Sequence, residues 1–152
     1  MPATFPPMND LAGLVGSWTG AGEVFPNPWG PAGATQGEWR FHLDGAGCNL
    51  IHDYHEIRED GYVFEGHGVL TVDPTTQECL WFWFDSYGFP PLSPARGQWQ
   101  GTALALRKVT PRGETFSVFV LHGDTLIHTV ESCTGGAFEQ VAQGTYHRVV
   151  AS

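Results

Sequence analysis

The sequence predicts an all-β domain: a closed antiparallel barrel of about ten strands with a short N-terminal helix. Three observations carry this. Short runs rich in Val, Phe, Trp, Tyr and Thr recur along the 152 residues, punctuated by 20 Gly and 11 Pro. No stretch beyond the first residues keeps a 3.6-residue apolar period long enough for a long helix. The links between runs are mostly short turn signals, and consecutive hairpins build an up-and-down sheet that closes rather than leave its edges open. A two-sheet sandwich is the second choice.

The elements follow in order. Residues 1–8 read as a flexible segment ahead of a single domain that takes up the rest of residues 1–152. A helix is expected over 9–14, capped by Asn9 or Asp10 and stopped by Gly13 or Gly16. Strands are expected near 17–25, 35–44, 48–59, 62–73, 78–87, 96–100, 103–110, 115–122, 125–133 and 138–149. Turns are read at Gly45-Ala46-Gly47, Asp60-Gly61, Asp73-Pro74, Gly123-Asp124 and Gly135-Gly136. Two longer, proline-stiffened links, 26–34 and 88–95, carry Trp29, Phe89 and Leu92. Large apolar residues on loops must cover something, either a barrel mouth as a lid or a partner.

Alternation assigns the faces. A two-residue Asp60-Gly61 turn pairs Glu59 with Tyr62 and groups Ile57/Phe64, His55/Gly66, Asp53/Gly68 and Ile51/Leu70 on one face. That face is the more apolar and is expected inside, with Asp53 and His55 as inward polar groups beside glycines. The inverse assignment lines the cavity with Tyr54, His67, His52, Glu56 and Glu65. The turn at 73–77 allows two lengths, so the face of Trp81, Trp83 and Asp85 stays open. The run Leu80-Trp81-Phe82-Trp83-Phe84 is apolar on both faces, so its outer side calls for a cover. A homodimer contact is the expectation there.

Charge and composition exclude several classes. Lys+Arg number 7 against 16 Asp+Glu, a formal charge of −9. No basic face is available for phosphates or anionic lipids, so neither nucleic acid nor a membrane is an expected partner. No apolar run approaches the roughly 18 residues of a spanning helix. The first residues show no basic segment and no apolar h-region, and the cytoplasm is the expected location. Cys48, Cys79 and Cys133 are few and widely spaced, which suits reduced, buried thiols better than a disulfide framework or a zinc site.

The segment Gly16-Ser17-Trp18-Thr19-Gly20-Ala21-Gly22 resembles the G-x-W-x-G-x-G opening of calycin-like barrels such as lipocalins, fatty-acid-binding proteins and nitrobindins. Leu11 to Gly16 precede it. Gly66-His67-Gly68-Val69, Val72-Asp73-Pro74, Trp83-Phe84-Asp85-Ser86-Tyr87-Gly88 and the closing Gly144-Thr145-Tyr146-His147-Arg148 follow. Together these resemble bacterial domain-of-unknown-function family 1579 over nearly the whole chain. The resemblance implies a lipocalin-like barrel with an internal cavity and supplies no activity. Nitrobindins bind haem through a histidine on a late strand, and His147 is the candidate the resemblance brings to that role.

The chemistry is read last. The seven histidines (His42, His52, His55, His67, His122, His128 and His147) form no H-x-x-x-H or H-E-x-x-H pair, so no metal set is assigned. There is no nucleophile elbow and no phosphate loop. What remains is an aromatic barrel with a few polar groups, the make-up of a small-molecule site. Trp39, Tyr54, Phe64, Trp81, Trp83 and Tyr87 are the expected ligand-binding residues. The leading expectation is cofactor-free binding of a small apolar or aromatic molecule. The alternative is an acid–base enzyme (an isomerase, cyclase or dehydratase) with His55 or His67 as base and Asp53 or Asp85 orienting or donating. Haem or metal binding is third.

Overall fold

The structure is a computed structural model that describes residues 11–27, 31–133 and 135–150. It contains ten strands: β1 (Gly16–Val24), β2 (Gly33–Leu43), β3 (Asn49–Arg58), β4 (Val63–Val72), β5 (Cys79–Asp85), β6 (Ala95–Gln100), β7 (Ala103–Thr110), β8 (Gly113–His122), β9 (Thr125–Cys133) and β10 (Phe138–Arg148). Each lies within two residues of its expected bounds. Sequence neighbours are sheet neighbours throughout. β1 pairs with β10 from Trp18↔Arg148 to Val24↔Ala142, which closes the barrel and sets the sandwich aside.

One end of the barrel is sealed by apolar side chains. Leu11 and Leu14, from a turn before β1, are fully buried with Trp18, Leu50, Leu70, Leu104 and Leu126. Each such side chain contributes about 1.5–3 kcal/mol of burial. The turn closes through the Leu14 and Val15 amides, which donate to the Leu11 and Ala12 carbonyls at 3.0 and 3.1 Å. Asn9 and Asp10, the expected helix caps, lie outside the described residues, as do residues 1–8 and Trp29. Arg148 secures the seal. It donates to the Val15 carbonyl at 2.6 Å and the Gly13 carbonyl at 2.9 Å, and its guanidinium lies 4.2 Å above the Trp18 ring. The opposite end is the mouth, bordered by the last residues of β1, β3, β5, β7 and β9 and the first of the strands that follow them.

The β3–β4 register differs from expectation by one residue. Gly61 donates to the Arg58 carbonyl at 2.8 Å, and the Arg58 amide donates to Tyr62 at 2.9 Å. Gly61 takes a φ of 87°, which glycine adopts without penalty. The loop is thus three residues, a tight turn followed by a left-handed glycine. The pairs become Glu56↔Phe64, Tyr54↔Gly66, His52↔Gly68 and Leu50↔Leu70. β4 keeps the expected face inward, but β3 turns over. His52, Tyr54 and Glu56 are buried, while Asp53, His55 and Ile57 are exposed. The 73–77 turn resolves with Val72↔Cys79, which sends Cys79, Trp81, Trp83 and Asp85 inward and Phe82 and Phe84 outward. Of the thiols, Cys79 is buried as expected and Cys48 is exposed.

Candidate functional site

Behind the mouth lies a cavity of about 310 Å³, at the lower end of the usual range for ligand sites. Its aromatic wall comes from alternate positions on neighbouring strands. Trp39, Tyr54, Phe64, Trp81, Trp83 and Tyr146 line it, joined by Tyr87 and Phe89 from the loop after β5. These rings pack on one another rather than singly. Trp39 is 4.3 Å from Tyr54 and 5.8 Å from Trp83, and Trp81 is 5.0 Å from Trp83, between ring centres.

Two inward glycines on β4 make this wall possible. A Cβ on Gly66 would overlap the Trp83 indole, and one on Gly68 would overlap the His52 ring. The bare backbone of β4 is the floor on which these rings lie. Trp83 is then held by its Nε1–H, which donates to Asp85 Oδ2 at 2.9 Å. The Tyr87 amide donates to the other Asp85 oxygen at 3.0 Å.

A chain of polar contacts runs along the wall. The Tyr54 hydroxyl donates to Glu56 Oε1 at 2.6 Å and lies 2.9 Å from the Tyr146 hydroxyl. Arg58 donates to Glu56 Oε2 at 2.8 Å and to the Tyr87 hydroxyl at 2.9 Å. Glu56 and Arg58 are both nearly enclosed, with side chains 8% and 10% exposed. Burial in this setting raises the Tyr54 phenol far above its ordinary value and pushes Tyr146 up to about 12. Both phenols stay neutral donors at any working pH.

Two histidines sit deep in the barrel. The Trp81 Nε1–H donates to His52 Nε2 at 2.8 Å, which requires that nitrogen to be unprotonated. The His128 ring lines the cavity and stacks on Phe119 at 4.3 Å, and its Nε2 has no hydrogen-bond partner. Burial lowers both imidazoles to about 3, so both are neutral.

Charge gathers at the mouth. Asp85, Lys108, Arg112 and Glu114 line it. Glu114 is drawn to Arg107 on the outer face at 2.6 Å. Arg112 lies 4.1 Å above the Phe89 ring. Burial lowers the Lys108 ammonium below its ordinary value, Asp85 opposes that shift, and Arg112 adds to it.

The structure places the expected residues in two groups. Trp39, Tyr54, Phe64, Trp81, Trp83, Tyr87 and Asp85 border the cavity. Asp53, His55 and His67 do not, because the β3 face is inverted and His67 lies between inward glycines. They form an outer cluster in which His67 Nδ1 is 2.6 Å from Asp53 Oδ1 and His55 is 3.9 Å from Glu65. The expectation that Asp53 and His55 point inward is corrected on this ground, and so is the placement of His67 and Glu65 in the inverse assignment. His147 also faces outward, 3.4 Å from the Thr125 hydroxyl, so a haem in the cavity held by His147 does not fit. Arg58, Lys108, Arg112, His128 and Tyr146 were not singled out for the cavity from the sequence. Arg58 could have been found as the third of Tyr54, Glu56 and Arg58, which alternate onto one face.

No family model matches the chain, and no curated protein does. Solved structures do. Rv2717c from M. tuberculosis is 16% identical, with 97% of this chain and 100% of that chain covered and a TM-score of 0.73. The S-type phycobiliprotein lyase CPES from Guillardia theta is 10% identical, with 95% and 93% covered and a TM-score of 0.72. EF1p2_mFAP2b bound to DFHBI is 13% identical, with 94% and 99% covered and a TM-score of 0.52. At these identities the likeness shows the barrel fold alone.

Proposed function

We propose that this protein binds a small, largely aromatic or apolar molecule inside the barrel, without a cofactor. One observation carries the reading: a cavity of about 310 Å³, sealed at one end and open at the other, with stacked indoles and phenols for walls. Such walls offer large contact area at little conformational cost, and the neutral phenols and His128 supply orientation. That a barrel of similar fold is solved with DFHBI bound, and that another is a phycobiliprotein lyase, supports a small-molecule role for the architecture.

Titration with the neutral fluorophore N-phenyl-1-naphthylamine tests the reading. Binding should saturate at one molecule per chain. Ser117, buried and facing the cavity from β8, is the place to block it. Ser117→Phe should abolish binding while leaving a folded barrel, because the ring enters existing space. A variant that binds as well as the wild type overturns the proposal. The acid–base alternative keeps only Asp85 of its four expected residues at the cavity. It predicts a changed ligand after incubation, which mass spectrometry reads.

The outer face of β5 is the proposed homodimer contact. Phe82 and Phe84 project from it, 36% and 50% exposed. Sedimentation as a dimer, lost in Phe84→Glu, is the expected result, and a monomeric wild type at micromolar concentration contradicts it.

A further inference from the structure

The distribution of positive charge says more about the occupant. The chain has seven Lys and Arg residues against 16 acids. Five of the seven are ion-paired: Arg40 with Glu38, Arg58 with Glu56, Arg96 with Glu78, Arg107 with Glu114 and Arg148 with Asp124. Lys108 and Arg112 have no ion pair among the described residues, and both line the cavity mouth. With more than twice as many acids as bases, a cation at a random surface position would readily meet a carboxylate. The two that do not lie four residues apart, Lys108 near the end of β7 and Arg112 in the turn before β8, and both border the cavity.

Local structure holds them there. Lys108 follows Leu104 and Leu106 on the inward face of β7. Arg112 stands in the turn, with its guanidinium over the Phe89 ring at 4.1 Å. That contact leaves the edge of the guanidinium fork available for a planar anion. The carboxylate that borders the same mouth from β5, Asp85, already accepts from Trp83 and from the Tyr87 amide. Glu114 is turned outward to Arg107. Lys108 is half-buried, so its ammonium is partly stripped of water; the Asp85 charge offsets part of that cost, and a bound anion would offset more.

We infer that the cavity takes an amphipathic anion: an aromatic or apolar body against Trp81, Trp83 and Tyr54, with a carboxylate or similar anionic group at the mouth between Lys108 and Arg112. This rests on the cavity-binding reading above and narrows it to a ligand class. Charge-assisted hydrogen bonds of this kind correspond to roughly tenfold or more in affinity.

Two fluorophores of nearly the same body separate the possibilities. 1-Anilinonaphthalene-8-sulfonate carries the anion, and N-phenyl-1-naphthylamine lacks it. The intact chain should bind the sulfonate about tenfold or more tightly than the neutral probe, and its advantage should shrink as salt is raised. The double variant K108Q/R112Q should bring the two probes to equal affinity. Equal affinities in the wild type, or a ratio unchanged in the variant, overturn the anion inference and leave cavity binding standing. Should the double variant not fold, the salt dependence of the wild-type ratio decides: a ratio that does not fall with salt counts against the inference. If neither probe binds, the cavity-binding reading itself falls.

Discussion

Replacing Gly66 by alanine should destabilise the barrel, with a sign opposite to that of an ordinary glycine-to-alanine change. Where the backbone permits it, such a change stabilises by about 0.4–1 kcal/mol, because the unfolded chain loses freedom. At Gly66 the added Cβ would overlap the Trp83 indole. Trp83 must therefore leave its place on β4. Crowding of that kind costs about 1–3 kcal/mol. The ring also gives up its bond to Asp85, for a further loss of about 1 kcal/mol at this partly open site. The net expectation is a loss of about 1–3 kcal/mol after the backbone gain is subtracted. With an m-value of about 2 kcal/mol/M, the urea midpoint moves down by roughly 0.5–1.5 M. Gly45→Ala is the control, because a Cβ there meets nothing within 4 Å. It should be neutral or slightly stabilising. The displaced indole also has only the cavity to enter, so Gly66→Ala should weaken N-phenyl-1-naphthylamine binding as well. If Gly66→Ala matches Gly45→Ala in stability and binds the probe like wild type, the packing of Trp83 on bare β4 backbone is wrong.

Other outcomes follow from the same contacts. Tyr54→Phe removes the donor to Glu56 and the contact with Tyr146, and should cost about 1–3 kcal/mol by chemical denaturation, whereas Tyr146→Phe should cost less. Arg148→Ala should cost about 2–3 kcal/mol and expose Trp18 to quenchers; Arg148→Lys should not restore it, because an ammonium cannot span the Val15, Gly13 and Asp124 oxygens together. His52 and His128 are lowered to about 3 from an ordinary 6.5. Their contribution is therefore complete above pH 6.5 and is lost as pH falls toward 3, since the unfolded chain takes up protons that the folded barrel refuses. Between pH 7 and pH 5, His128→Leu should lose about 1–2 kcal/mol less stability than wild type; an equal loss in both would show that His128 is not held neutral.

The strands were legible because each is a short β-prone run between turn signals, and ten of them in sequence order leave little choice of topology. The wall aromatics were legible as candidates by residue type, but the face of Trp81 and Trp83 stayed open until the Val72↔Cys79 pairing set it. The inward face of β3 was not. It hung on whether the Asp60-Gly61 turn has two residues or three, and Arg58-Glu59-Asp60-Gly61 satisfies either spelling. The three-residue form sets His52 beside Gly68, whose bare backbone leaves room for its ring, and turns Tyr54 inward, where its ring lies over Gly37. That single residue carried Asp53 and His55 from the expected interior to the surface and brought Glu56 in. The sequence carries no mark that separates Lys108 and Arg112 from the other cations. Only the ion-pair geometry of the other five cations sets them apart.

The central claim, that small molecules bind inside this barrel, is tested most directly by ¹H–¹⁵N spectra recorded during titration with N-phenyl-1-naphthylamine. The indole Nε1–H signals of Trp39, Trp81 and Trp83 report the interior, and the backbone amides of Phe82 and Phe84 with the His67 ring report the outer face of the same strands. Large, saturable shifts of the three indoles, with the outer His67 ring unmoved, are the predicted result. Shifts confined to Phe82, Phe84 and His67, with the indoles unchanged at saturation, would contradict it.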